Sequence, residues 1–147
     1  MSQMLAYSVL LLFVALLRPL PTLVQKETRQ EKFHRQHVAF PKTDSELGAR
    51  RYCNLMMQRR GMTAIRCKPT NTFIHGSPTE VDAICSDGGT HSSENYYDSN
   101  SFFELTACRL TGEGSRPPNC NYRGRLSTQQ IRVACINGVP VHFKTHL

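Results

Sequence analysis

The chain has 147 residues, with 18 Lys and Arg against 11 Asp and Glu, a formal charge of +7, and six cysteines. That length suits a single domain. The closest cysteines are twelve residues apart and no CxxC pair occurs, which argues against a zinc knuckle. The positive excess points to a polyanionic partner: RNA, DNA, cell-surface glycans or an anionic membrane, which charge alone does not separate.

The first apolar run, LAYSVLLLFVALL from Leu5 to Leu17, is too short to span a bilayer and ends at Arg18 and a proline-containing stretch. Residues 1–24 are therefore expected to be a secretory signal peptide, cut after Val24 or, as the alternative, after Gln25. Nothing later is apolar enough for a membrane segment. The remaining domain, 25–147, keeps 17 Lys and Arg against 11 acids, a charge of +6. It holds all six cysteines, and in a secreted chain that number suggests three disulfides.

Thr28 to Glu31 fits a capping box opening a helix that places Phe33 and His37 on one face. A second helix is expected over 49–60, with Tyr52, Leu55, Met56 and Arg59 at helical spacing and Gly61 as the stop. Asn71 to His75 reads as a strand. Ser77, Pro78 and Glu80 form an N-cap, a proline at the first helical position and a following acid, the start of a short third helix presenting Val81, Ile84 and Cys85. The polar stretch 86–101 reads as an exposed turn or loop with a little strand. Three apolar stretches follow, SFFELTACRL, STQQIRVACI and PVHFKTHL, and read as antiparallel strands. The class is α+β, with helices early and a twisted sheet late.

One segment poses a chemical question: in CKPTNTFIH at 67–75, Lys68 directly follows a cysteine. A cross-link at Cys67 would fix the backbone, so the ammonium could be held where negative charge develops in a transition state. Alternatively, Lys68 is a solvated surface residue. KFHRQH at 32–37 and PVHF at 140–143 stand in the same order around this segment. Together with YCNLMM at 52–57 and PNCNY at 118–122, they make the chain resemble the pancreatic-type ribonuclease superfamily. The missing cysteine pair in 86–101, RRGM at 59–62 and the short NGVPVH connection tilt that resemblance toward its six-cysteine, angiogenin-like branch.

The resemblance implies a V-shaped α+β fold with three helices and a cleft for RNA. It also implies disulfides joining Cys53 to Cys108, Cys67 to Cys120 and Cys85 to Cys135. It casts His37 as general base, His142 as general acid and Lys68 as the stabilising cation. Substrate contacts would come from Gln36, Asn71, Thr72 and Phe143, and flanking phosphates would fall to Lys32 and Arg35. The implied activity is a secreted, pyrimidine-preferring endoribonuclease that makes a 2′,3′-cyclic phosphate without a metal or other cofactor. RNA carries its own nucleophile, the 2′-hydroxyl, so the protein needs only a base, an acid and a cation. Histidine suits both proton roles near neutral pH. The alternative is a basic antimicrobial or angiogenic signalling protein in which cleavage is secondary. Single-stranded RNA is the expected partner of a monomer, with anionic cell surfaces, bacterial membranes and a cytosolic ribonuclease inhibitor as further candidates. The RRG segment resembles a nuclear-entry signal, implying uptake to the nucleus; a solvated helix end is the alternative. Two positions depart from the family pattern. Lys144 stands where an acid orients the acid histidine, and Ile136 where an acid favours a purine as second base, so weaker, angiogenin-like activity is expected.

Overall fold

The structure, a computed structural model, describes residues 26–147, so the expected signal peptide lies outside the described residues. Helix α1, Arg29–His37, opens with the anticipated capping box: the Glu31 N–H donates to Thr28 Oγ1 and the Thr28 N–H to Glu31 Oε1, both at 3.1 Å. Helix α2, Ala49–Arg59, stops where Gly61 takes a positive φ of 76°, a backbone only glycine adopts without penalty. Helix α3, Pro78–Asp82, is capped by Ser77 and runs into a 3₁₀ turn, Ala83–Cys85.

Seven strands follow or interleave: β1 Thr70–Ile74, β2 Gly89–His91, β3 Tyr96–Ser99, β4 Phe103–Leu110, β5 Tyr122–Gln129, β6 Ile131–Ile136 and β7 Val139–His146. They form two antiparallel sheets, ordered β1-β4-β5 and β2-β3-β6-β7. Three details correct the sequence reading. The 86–101 segment holds two strands, and β3 pairs with β6 in the larger sheet. STQQIRVACI is not one strand; the chain leaves β5 at Gln129 and re-enters as β6 at Ile131. The first part of β5, YRGRL at 122–126, is a strand the sequence reading does not include. Its apolar content is low, and it is held by pairing with β4 along its whole length.

Two clusters make the core. Phe33 of α1, Val81, Ile84, Phe103, Leu105, Ile131 and Val133 form one. Tyr52, Met56 and Met57 of α2 pack with Met62, Phe73 and Tyr122 in the other. Strand β1 is buried on both faces, giving Ile74 to the first cluster and Phe73 to the second. Gly124 lets β5 lie flat on α2: a Cβ there would meet the Ala49 carbonyl oxygen at 2.3 Å. The three disulfides join Cys53–Cys108, Cys67–Cys120 and Cys85–Cys135, the pairing the resemblance implied. Each closes a loop of 50 to 55 residues, worth ~2–4 kcal/mol apiece. Helix α1 packs against both β1 and β7, so its last turn lies where the two sheets meet.

Candidate active site

His37 ends α1 and is only 7% exposed. Its ring sits 5.1 Å from the Phe33 ring and stacks on Phe143 at 5.4 Å and 26°. Nδ1–H donates to the Thr72 carbonyl at 2.9 Å, which leaves Nε2 with a lone pair able to take a proton. Burial pushes the imidazole down to about 3. The Thr72 hydrogen bond opposes that shift, while the charges of Lys68 and His142 add to it. His37 is therefore neutral at physiological pH, with Nε2 free to accept a proton.

Lys68 is held at both ends of its peptide unit. Its N–H donates to the Met62 carbonyl at 3.1 Å, and its carbonyl accepts from the Tyr122 hydroxyl at 2.8 Å. Tyr122 is itself fully buried, with its N–H bonded to Asn54 Oδ1 of α2. With the Cys67–Cys120 bridge alongside, the lysine stem has a fixed root. Its Nζ donates to Asn71 Oδ1 at 3.0 Å and Gln36 Oε1 at 3.3 Å, while Asn71 Nδ2 donates to the Gln36 carbonyl at 2.8 Å. Burial, then Lys32 and Arg35, push the lysine below its ordinary value. Both acceptors are neutral amides, so the ammonium is positioned without a carboxylate to neutralise it. Lys68 is therefore half-buried and hydrogen-bonded, not a freely solvated surface lysine.

Strand β7 brings the second histidine. Its register against β6 shifts twice, so Val141 and Lys144 are extra residues, while Phe143 pairs with Val133 and His142 with Ala134. Phe143 reaches the core, whereas His142 is exposed and makes no side-chain hydrogen bond among the described residues. Lys144 holds its Nζ 5.4 Å over the Tyr96 ring.

These residues line one cleft of about 1600 Å³: Gln36, His37, Lys68, Asn71, Thr72, His142 and Phe143, with Lys32 and Arg35 at its margin. Thr72 is 8% exposed and reaches the cleft from β1. The Arg35 guanidinium is engaged elsewhere, donating to both Glu27 carboxylate oxygens at 2.7 and 3.0 Å and to the Arg60 carbonyl at 2.6 Å. Sequence reasoning missed Arg29, Arg66, Arg109, Arg123 and Arg125, which also line the cleft. Alternate arginines in YRGRL would have flagged two of them, had that stretch been read as a strand. Among the described residues no Asp or Glu lines the cleft, so its lining charge is positive and attracts a polyanion.

A disulfide-stapled α+β frame around an acid-free, histidine-bearing basic cleft defines a polyanion-binding domain. The family model described as pancreatic ribonuclease matches residues 28–144. A ribonuclease from Chelydra serpentina is 55% identical over 117 residues, 80% of this chain and 97% of that one. Angiogenin from Mus musculus is 44% identical over 124 residues, covering 84% of this chain and 81% of its own. The crystal structure of green turtle egg white ribonuclease superposes with a TM-score of 0.78 at 53% identity, over 82% of this chain and all of that one. The chain belongs to the pancreatic ribonuclease family and is a pancreatic-type ribonuclease.

Proposed function

We propose that the domain cleaves single-stranded RNA after pyrimidines by transphosphorylation. His37 Nε2 takes the proton of the 2′-hydroxyl, and the freed 2′-oxygen attacks the adjacent phosphorus. Lys68 meets the negative charge that builds on the phosphoryl oxygens. His142 gives its proton to the departing 5′-oxygen, so the products are a 2′,3′-cyclic phosphate and a 5′-hydroxyl. Gln36 and Asn71 hold Lys68 in place and offer amide contacts to the phosphate. The Thr72 N–H donates to a pyrimidine edge, and the Thr72 hydroxyl, which can donate or accept, reads the neighbouring position, with Phe143 beside the ring. Lys32 is the better candidate for a flanking phosphate, since Arg35 would first have to leave Glu27 and the Arg60 carbonyl.

The observation that carries this reading is the pairing of a tautomer-fixed, buried His37 with a rooted Lys68 that faces no carboxylate. The same reading takes 1–24 as a cleaved signal, the protein as secreted, and activity as modest because His142 lacks an orienting acid. The test is cleavage of the four dinucleotides with cytidine, uridine, adenosine or guanosine on the 5′ side of the scissile phosphate. Cytidine and uridine substrates should give a 2′,3′-cyclic phosphate. Equal cleavage of the purine substrates, or a product with a 5′-phosphate, would overturn the proposal.

A further inference from the structure

We infer that Arg60 positions the general base, clamping the last turn of α1 so that His37 and Gln36 meet Lys68 in working geometry; this rests on His37 being that base. Helix α1 does not end in a left-handed cap: Val38 is extended, with φ −91° and ψ 116°. The terminal carbonyls of such a helix need partners from elsewhere. Two side chains supply them. Arg60 Nη1 donates to the Arg35 carbonyl at 2.9 Å and the Val38 carbonyl at 2.8 Å, with the His34 carbonyl at 3.4 Å. Asn71 takes the Gln36 carbonyl. In return, Arg35 Nη1 donates to the Arg60 carbonyl at 2.6 Å, so the ends of α1 and α2 are bolted together from both sides. The guanidinium also stands at the negative end of the α1 dipole, where a cation is favoured.

The consequence reaches the chemistry through short links. His37 is the last residue of α1, and its ring is fixed at one point by Thr72. The other point is its own backbone, and Arg60 holds the Arg35 carbonyl two residues before it and the Val38 carbonyl one residue after it. Gln36, on the same turn, contacts Lys68 Nζ. A displacement of ~1 Å in such a constellation can cost ~10² in rate. The same geometry gives the basic pair at 59–60 a different role from a docking signal. Arg59 is tied to Asp44 at 2.8 Å, and Arg60 is half-buried against backbone. A partner reading this segment in the folded protein would find only Arg59 within easy reach.

The test compares Arg60→Gln and Arg60→Lys with the parent, well below each variant's melting temperature. It measures kcat and KM on cytidylyl-adenosine, and the His37 ring resonance and its titration by NMR. Arg60→Gln should lower kcat about ten- to a hundredfold with KM changed less than twofold, since Arg60 does not touch substrate. The His37 resonance should move and titrate at higher pH, because a slackened turn admits water to the buried ring. Arg60→Lys keeps the charge, but its shorter stem cannot place a nitrogen where Nη1 makes all these contacts, so kcat should still fall at least threefold while the salt dependence of RNA binding stays parental. A lower melting temperature with kcat within twofold of the parent and an unmoved His37 resonance would overturn the inference. A moved resonance with parental kcat would leave the clamp standing and remove His37 as the base. Should Arg60→Gln fail to fold, the lysine variant decides on the same readouts.

Discussion

Lys144→Asp would test the one feature of the cleft that departs most from what an acid histidine needs. His142 is exposed and its side chain has no hydrogen-bond partner among the described residues, and Lys144, two residues on, holds its ammonium over Tyr96. Two residues of strand place position 144 ~7 Å along β7. An aspartate there could bring its carboxylate to ~6 Å of the imidazole. At an effective dielectric of ~40 to 80, suited to an exposed pair, that charge stabilises the imidazolium by ~0.7 to 1.4 kcal/mol. If turnover follows that stabilisation, kcat on cytidylyl-adenosine should rise about three- to tenfold, and the alkaline limb of the pH–rate profile should move up by about half to one unit. The loss of an exposed cation–π contact costs ~0.5 to 1 kcal/mol, so the melting temperature should drop by a few degrees. The assay is steady-state cleavage of the dinucleotide from pH 5 to 8, with binding of a long oligonucleotide alongside. An unchanged dinucleotide profile with weakened long-RNA binding would refute the reasoning, showing Lys144 to be a contact for a flanking phosphate.

Stability should depend on pH through the buried histidines. Burial lowers His37, to about 3, and also His75, whose Nδ1 donates to the Ala39 carbonyl and whose Nε2 accepts from the Thr106 hydroxyl. Both resist protonation when folded and so take up protons on unfolding below about pH 6.5. Their contribution is therefore intact above that pH and falls as pH drops toward the folded values. Urea unfolding at pH 7 and 4.5 should show the parent losing roughly 2 to 3 kcal/mol more than His37→Gln; equal losses would contradict the sign. Tyr52→Phe should leave stability unchanged or raise it by ~1 kcal/mol, because the Tyr52 hydroxyl is fully buried and has no partner among the described residues. A loss above ~1 kcal/mol in thermal unfolding would point to a hydrogen bond not seen here.

What could be read in the sequence was what short-range chemistry writes. The capping residues Thr28 and Glu31, the Ser77–Pro78 start and the Gly61 stop act within one turn of their own helix, and each lies where it was expected. Strands made by distant pairing left weaker marks. The short strands β2 and β3 carry no aliphatic run to mark them, and β3 is held by its pairing with β6, the Asp98–Arg132 ion pair and Tyr97 against the core; β5 alternates arginine with glycine because it faces a cleft on one side and α2 on the other. The disulfide pairing rests on the family resemblance alone; the choice among six histidines rests on it too, with partial support from His37 and His142 lying in apolar stretches of expected elements, unlike His91 and His146. Arg60 was legible as charge but not as a clamp, since its partners lie 22 to 26 residues away in sequence and are backbone carbonyls that no side-chain pattern reveals.

The account depends most on a metal-independent pair of histidines acting with Lys68. The direct measurement is the rate of 2′,3′-cyclic phosphate formation from cytidylyl-adenosine in EDTA, for residues 25–147 and for His37→Ala and His142→Ala. The parent should keep its full rate in the chelator, and each variant should lose ~10² to 10⁴ of it. Parental rates in both variants, or activity lost in EDTA and restored by zinc or magnesium, would contradict it.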